Sequence, residues 1–268
     1  MAEKTAIQWT DATWNIAVGC TKVDEDCKYC YMYRESLNST RYEPKTIRKT
    51  KTVFSLPLKI KEPSKIFTSS LTDFFHEAID GYRHEAWDII RKCPQHTFQI
   101  LTKRPERIND HLPEFWNEIK GRVWLGTSIG SQKSLNRANV LGYSKGNDAA
   151  FLFLSLEPLH GEINLNGFLS ANKKSNRLFR PFDWVIVGGE SGNDNGQYKY
   201  RPCELSWIEK IVSSCQFEKI PVFVKQLGTH LAKELKMSDR HGGNIDEFPV
   251  NLQVREFPTL KPTQNDET

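Results

Sequence analysis

Short apolar runs recur along the chain, and nearly every one of them ends in charged or hydroxyl-bearing residues. The apolar residues within each run are continuous rather than alternating, which is typical of parallel strands that are buried on both faces. A first candidate strand lies around TWNIAVGC, near the amino terminus. Six further candidates follow, at residues 64–70, 96–105, 121–130, 149–161, 182–192 and 220–228.

Helical segments separate most of these runs. Residues 76–93, 131–143 and 203–216 are predicted helices, and 105–119 supplies only one or two helical turns because Pro113 interrupts it. The first of these helices has an apolar stripe at helical spacing, formed by Ala78, Tyr82, Ala86, Trp87 and Ile90. Strand–helix alternation implies right-handed crossovers, so we predict an α/β fold with a partial, TIM-like (β/α) barrel of about six to seven mainly parallel strands.

Length and composition add limits to this prediction. The 268 residues, 38% of them hydrophobic and 26% charged, are ordinary for a soluble globular protein. We assign residues 1–228 to the barrel and 229–268 to a C-terminal extension with a flexible tail, and we interpret 165–182 as an insertion loop. No apolar run has the length of a signal peptide or a membrane span, so we predict a cytoplasmic protein without a membrane partner.

Positive charge is distributed unevenly, although the net charge is only +4. Residues 41–65 carry many Lys and Arg against two Glu. This stretch is either a solvated surface or a patch that follows the phosphates of a nucleic acid, and the sequence leaves both interpretations open.

The polar residues that follow the strands form a candidate binding site. In parallel α/β folds the carboxyl ends of the strands meet on one face, and ligands bind there. Capping of the next helix can explain any one of these residues, but it does not require Lys, Arg or Glu. The strand-end residues lie at 68–73, 102–104, 127–128, 155–157, 188–191 and 225–226.

Three of the six cysteines, Cys20, Cys27 and Cys30, lie within eleven positions after the first strand. A structural zinc site has four ligands and disulfides need pairs, so three thiols leave one position to be completed. An iron–sulfur cluster with one open iron is favoured; a redox pair at Cys27 and Cys30, ordinary thiols and a zinc site remain alternatives. A zinc site would take its fourth ligand from Cys93, Cys203, Cys215 or a histidine.

The segment Cys27-Lys28-Tyr29-Cys30 resembles the motif of radical S-adenosylmethionine (SAM) enzymes, whose cysteine triplet ends in Cys-x-aromatic-Cys after the first strand of a partial barrel. The chain departs from the common pattern in the first spacing, because six residues rather than three separate Cys20 from Cys27. The nearest resemblance is to the three-cysteine-motif phage and prophage protein family. It is carried by TWNIAVGCTKV, CKYCY, LTKRP, WLGTSI, LSLEPLHG, WVIVGGESG, RPCELSW and VFVKQLG.

The resemblance implies a [4Fe–4S] cluster on Cys20, Cys27 and Cys30, with the amino and carboxylate groups of SAM on the open iron. It also implies an electron donor protein, reductive cleavage of SAM to a 5′-deoxyadenosyl radical, and hydrogen abstraction from a second substrate. The basic stretch favours nucleic acid or a nucleotide as that substrate, and a peptide or partner protein is the alternative. Two other functions stay open: a zinc- or cluster-stabilised nucleic-acid-binding module without SAM chemistry, and a hydrolase or transferase, whose usual motifs the sequence lacks.

The resemblance also assigns the residues at the ends of the early strands. The ammonium group of SAM meets a Gly-Gly-Glu segment after the second strand of the superfamily. In this chain that strand ends in Ser69, Ser70 and Asp73, with Asp73 as the predicted anion. We expect Lys103 and Ser128 to bind the carboxylate of SAM.

Residues at the ends of the late strands complete the predicted site. Gly188 and Gly189 would let the backbone approach adenine or substrate, with Glu190 as a polar anchor. Glu157 would bind ribose hydroxyls or the second substrate. For Lys103, Glu157 and Glu190, a buried structural salt bridge is an equal alternative.

Overall fold

The computed structural model describes residues 5–33, 43–169, 179–196 and 198–259. Seven strands in these ranges form one parallel sheet, which curls into a half-barrel. The predicted α/β fold with a partial barrel is therefore confirmed. The described ranges also contain a separate pair of short strands, β2 and β3. In chain order the strands are β1 (Ala12–Trp14), β2 (Ala17–Val18), β3 (Arg48–Lys49), β4 (Lys65–Thr68), β5 (Thr97–Thr102), β6 (Val123–Ser128), β7 (Phe151–Leu159), β8 (Trp184–Gly189) and β9 (Val222–Gln226).

The order across the parallel sheet is β1-β4-β5-β6-β7-β8-β9. The first predicted strand divides in two, because only β1 joins this sheet. Strand β2 instead pairs antiparallel with β3, with Ala17 opposite Lys49. The chain therefore leaves the edge of the sheet at the carboxyl end of β1 and runs directly into the cysteines.

The predicted helices are present with shorter bounds. The first begins as a 3-10 turn at Glu77–Ile79, and the segment around Pro113 forms a 3-10 helix at Pro105–Asp110 before a single α-helical turn. The predicted helix at 131–143 begins with a 3-10 turn at Gln132–Ser134. The α-helices are α1 (Asp80–Lys92), α2 (Trp116–Ile119), α3 (Asn136–Gly142), α4 (Leu205–Phe217) and α5 (Gly228–Glu234).

The sheet is apolar on both faces, which explains the continuous apolar runs in the sequence. On the outer face Ile66, Leu125 and Val185 belong to the core that the helices cover. On the inner face, near the amino ends of the strands, aromatic rings fill the half-barrel; Trp184 lies 5.7 Å from both Trp124 and Phe153, ring centre to ring centre. This end of the half-barrel is filled, so the polar site belongs at the carboxyl ends of the strands.

Parts of three sequence predictions fall outside the described residues, namely 170–178 in the insertion loop, 260–268 in the tail and 41–42 in the basic stretch. The division into a barrel and a C-terminal extension stays a prediction. Among the helices of the described ranges, none is long and apolar enough to cross a membrane.

Candidate functional site at the carboxyl ends of the strands

The cysteine loop (Gly19–Tyr33) begins directly after β2 and is ordered by its own polar residues. The carboxylate of Asp24 accepts a hydrogen bond from the N–H of Asp26 at 2.9 Å. This contact caps a 3-10 turn over Glu25–Cys27, as expected for Asp at the start of a helical turn.

Tyr33 connects the two ends of this loop. Its hydroxyl donates to the carbonyl of Cys20 at 2.5 Å, and the N–H of Cys30 donates to the carbonyl of Cys27 at 3.4 Å. Burial, followed by the charge of all three neighbouring cysteines, raises the pKa of the Tyr33 phenol to about 12. The three free thiols therefore lie within electrostatic reach of a single side chain.

The cysteine loop crosses the carboxyl ends of five strands. The N–H of Gly19 donates to the carbonyl of Leu71, three residues past the end of β4, at 3.1 Å. The other contacts come from Arg104 after β5, Gly130 after β6, His160 after β7 and Arg201 after β8. The loop thus covers the face where parallel α/β folds bind ligands.

Asp26 is the buried anchor in the middle of the loop, with 4% of its surface exposed. One carboxylate oxygen accepts from the N–H of Gly130 at 3.0 Å and from Arg137 at 2.8 Å, and the other lies 2.8 Å from Nε2 of His160. Burial alone would raise the pKa of Asp26, but hydrogen bonds from His160 and Ser134 and the charge of Arg137 hold it well below its usual range. Asp26 is therefore a charged, fully partnered anchor.

Arg137 and Arg201 hold the outer part of the loop from opposite sides. Arg137, on α3, also pairs with the carboxylate of Asp24. Arg201 donates to the carbonyl of Glu25 at 2.6 Å, and its guanidinium lies 5.7 Å from the ring centre of Tyr29. Residues from two separate crossovers therefore fix the same short turn.

Arg104 holds the beginning of the loop. It donates to the carbonyl of Thr21 at 3.0 Å and to the Thr21 hydroxyl at 2.8 Å, and its Nη1 lies 3.9 Å from the sulfur of Cys20. Nδ1 of His76 accepts from a backbone N–H, so Nε2 carries the proton and donates to the same Thr21 hydroxyl at 2.9 Å.

Two of the three thiols of the loop, Cys20 and Cys30, are disfavoured as free thiolates. Burial, then the carboxylate of Asp73, raises the pKa of Cys20 to about 11 against the opposing charge of Arg104. Burial also raises the pKa of Cys30, against the opposing charge of Lys103. A bound cation is the usual means of holding such sulfurs as thiolates.

The segment after β4 contains two unsatisfied hydroxyl groups. Ser69 has a φ of 76°, in the left-handed region that residues other than glycine seldom adopt. Its hydroxyl and that of Thr72 are buried and have no hydrogen-bond partner among the described residues. Ser70 differs, because its hydroxyl exchanges hydrogen bonds with the side-chain amide of Asn15 at 3.1 and 3.2 Å.

Asp73 is buried, and four protein groups surround its carboxylate. It accepts from the N–H of Phe75 at 2.9 Å, the hydroxyl of Thr102 at 2.7 Å and the N–H of Lys103 at 2.8 Å, and it lies 3.4 Å from Arg104. These bonds join the loops after β4 and β5. The predicted contact of Asp73 with an ammonium group stays a prediction.

Lys103 and Ser128, the two residues predicted to bind a carboxylate, differ in their contacts. The ammonium of Lys103 has no ion-pair or hydrogen-bond partner in the described part of the chain, and its charge acts on Cys30. The hydroxyl of Ser128 instead donates to the carbonyl of Glu157 at 2.7 Å. Lys103 is therefore available to a ligand, whereas Ser128 connects two strands.

Glu157 forms an ion pair across the inner face of the sheet. One of its oxygens lies 3.0 Å from the ammonium of Lys225, and the other accepts from the hydroxyl of Ser155 at 3.4 Å. A Cβ at Gly188 would lie 2.8 Å from the Glu157 carboxylate, so the glycine leaves room for this pair.

Glu190 and Gly189 have structural contacts. Both oxygens of Glu190 accept from Arg201, at 2.8 and 2.7 Å, so this pair connects β8 to the cysteine loop. A Cβ at Gly189 would lie 2.2 Å from the carbonyl oxygen of Leu227, which shows that the glycine permits close packing of two backbone segments.

Sequence reasoning missed four of the groups that anchor the loop, namely Asp26, Arg137, His160 and Arg201, and it included Arg104 among the strand-end residues without a specific role. Arg104 carried a signal, because it follows Lys103 at a strand end. Asp26 and Arg137 stand 111 positions apart, and no local pattern indicates that they pair.

The residues fit an iron–sulfur cluster in the chemistry of their donors. Three thiols share one loop, and the unpaired hydroxyls of Ser69 and Thr72 lie in the segment that contacts this loop through Leu71. No group of three or more His, Cys, Asp or Glu side chains in the described ranges has a ready metal-binding arrangement. The fit therefore rests on the type of the donors and not on a ready arrangement of the sulfurs.

Comparison with known proteins gives one family and one distant structure. The model of a family described as “Protein of unknown function (DUF5131)” matches residues 4–251. No curated protein matches the chain. A mutant spore photoproduct lyase with bound AdoMet and dinucleoside spore photoproduct is similar at a TM-score of 0.39 and 16% identity, over 66% of this chain and 55% of that chain. The chain thus spans about half the length of that lyase, and a similarity this distant assigns no activity.

Proposed function

The chain belongs to the family described as “Protein of unknown function (DUF5131)”, and we propose that it is a radical SAM enzyme with a [4Fe–4S] cluster on Cys20, Cys27 and Cys30. The observation that carries the proposal is the position of the cysteine loop across the carboxyl ends of five strands of a half-barrel. The resemblance of the cysteine motif supports it. When bound and reduced, the cluster would supply the electron that breaks the C–S bond of SAM, giving methionine and a 5′-deoxyadenosyl radical.

The unpaired groups after β4 and β5 are the proposed SAM contacts. The Ser69 hydroxyl is a buried acceptor for the ammonium group, and the free ammonium of Lys103 suits the carboxylate. Asp73 has a different part in this proposal. Its carboxylate holds together the loops after β4 and β5, and it adds negative charge near the ammonium group of SAM.

Exposed lysines favour nucleic acid as the second substrate. Lys45 and Lys51 have exposed side chains without an ion-pair partner among the described residues. The segment that contains Lys45 touches the cysteine loop, because the N–H of Cys20 donates to the carbonyl of Pro44 at 3.0 Å. Lys51 follows Thr50, whose hydroxyl donates to the carbonyl of Asn15 just after β1. Lysines at this end of the sheet would follow phosphates beside the site.

Anaerobic reconstitution of the full chain tests the enzyme proposal. We expect about four iron and four sulfide per chain and reductant-dependent release of 5′-deoxyadenosine from SAM. Cys30→Ala should lose iron, whereas the matched control Cys93→Ala, at a buried cysteine outside the loop, should retain it. Uptake of zinc without SAM cleavage would contradict the proposal and favour a metal-stabilised binding module.

Binding to a short DNA or RNA oligonucleotide at several salt concentrations tests the substrate class. A double variant with Lys45 and Lys51 changed to Gln should bind more weakly, with a salt dependence reduced by about one unit of slope per lost phosphate contact. The control changes Lys92 and Lys145, exposed lysines just before the amino ends of strands, to Gln. Equal losses in the two double variants would contradict a specific nucleic-acid surface.

A further inference from the structure

Arg104 lies between the cysteine loop and the loop after β4, with only 7% of its surface exposed. Its Nη1 lies 3.9 Å from the sulfur of Cys20 and 3.4 Å from a carboxylate oxygen of Asp73. Its Nε lies 3.7 Å from the carboxylate of Glu77. One guanidinium therefore contacts a proposed cluster ligand and the loop that carries the proposed SAM contacts.

The position of this guanidinium is fixed by several bonds. The backbone N–H of Arg104 donates to the hydroxyl of Thr102 at 2.8 Å, and that hydroxyl donates to Asp73 at 2.7 Å. The other end of the side chain is held by Thr21, which also accepts from His76. Because the charge is buried and fully partnered, it cannot move into solvent when the environment of the sulfur changes.

The other two arginines that contact the cysteine loop provide an internal comparison. Arg137 binds the carboxylates of Asp24 and Asp26, and Arg201 binds a carbonyl and an aromatic ring. In the described part of the chain, Arg104 is the arginine that hydrogen-bonds to a cysteine sulfur.

We propose that Arg104 tunes the reduction potential of the cluster through its hydrogen bond to Cys20, an inference that rests on the proposed function. Hydrogen bonds to ligand sulfurs and local charge are among the factors that set the potential of iron–sulfur clusters. A buried positive charge stabilises the state with one more electron, so Arg104 raises the potential. Asp73 offsets part of this effect because its negative charge lies beside the same guanidinium.

Redox titration of the cluster-loaded full chain, followed by electron paramagnetic resonance, tests this role. Arg104→Gln should shift the midpoint to a more negative potential. Arg104→Lys should shift it less, because the charge remains while the fork geometry is lost. A wild-type midpoint in Arg104→Lys would also count against the role of the hydrogen bond to sulfur, so this variant keeps the test decisive if Arg104→Gln does not retain the cluster. Asp73→Asn should shift the midpoint in the opposite direction, because it removes the neighbouring negative charge.

Arg201→Gln is the matched control, since it removes a loop anchor that does not touch sulfur. It should lower the iron content and leave the midpoint where it is in the wild-type protein. A wild-type midpoint in Arg104→Gln, or an equal shift in Arg201→Gln, would overturn the inference while the enzyme proposal stands. A wild-type chain that binds no cluster would overturn both.

Discussion

The two sides of the half-barrel present different polar groups to the cysteine loop. On the early side, at the ends of β4 and β5, the hydroxyl of Ser69 and the ammonium of Lys103 have no partner among the described residues. On the late side, at the ends of β7 to β9, Glu157 pairs with Lys225, and Glu190 pairs with Arg201. Both sides looked alike in sequence, because each strand ends in polar residues.

This difference separates groups that hold the structure from groups that can hold a ligand. A buried polar group without a partner costs free energy, on the order of 1–3 kcal/mol, so such a group is expected where a ligand satisfies it. A group with all its partners in place contributes to the fold instead. Ser69 meets this criterion, so we expect a ligand to bind mainly on the early side.

The largest expected effect is that of Asp73→Ala on stability. The substitution leaves Arg104 buried beside a cavity and removes an acceptor shared by two loops. Breaking a buried ion pair in this way costs about 3–5 kcal/mol. Urea unfolding of the metal-free chain measures the loss, and a change below about 1 kcal/mol would show that the pair is not important for the fold.

Glu190→Ala should cost less, about 2–3 kcal/mol, because its partner can reach water more readily. The side chain of Arg201 is 16% exposed, compared with 8% for Arg104. The same urea experiment compares the two variants. A larger loss in Glu190→Ala than in Asp73→Ala would reverse the comparison between the two sides.

The sequence predicted the strands and the position of the cysteines, because both depend on local pattern. Continuous apolar runs identified all seven strands of the parallel sheet. It could not predict which polar residues are partnered. Whether Ser128 is free or bonded depends on the carbonyl of Glu157, which the sheet brings near from 29 positions away.

The same limit applies to the carboxylates. Asp73 and Glu190 both follow apolar strands, and a single sequence gives no measure of how many donors will surround each of them. Satisfaction of hydrogen bonds is a property of the assembled loops, so ligand residues and structural residues of the same type were assigned together.

A smaller effect is expected from pH, through the fully partnered Asp26. Its pKa in the folded chain lies below the ordinary value of 3.8, so its contribution to stability is present above that value and is lost as the pH falls below it. Below that value, the free energy of unfolding that this carboxyl contributes falls with pH at a slope that approaches about 1.4 kcal/mol per pH unit. Unfolding measured from pH 6 down to about 3 should show a shallower acid dependence in Asp26→Asn. An unchanged dependence would mean that the network with Arg137 and His160 does not need the charge.

The smallest effects on stability distinguish the two predicted serines. Ser69→Ala removes a buried hydroxyl that has no partner, so it should relieve a desolvation cost and raise the free energy of unfolding of the metal-free chain by about 1 kcal/mol. Ser128→Ala loses a hydrogen bond to the carbonyl of Glu157 and should lower the free energy of unfolding by about 1 kcal/mol.

SAM affinity of the cluster-loaded protein, measured anaerobically by calorimetry, should show the opposite order. We expect a loss of roughly tenfold for Ser69→Ala and none for Ser128→Ala, because only the unpaired hydroxyl is free to bind a ligand. Equal affinities in the two variants would mean that the empty hydrogen-bonding position at Ser69 is not a SAM contact, and the early side would then lose its distinction from the late one.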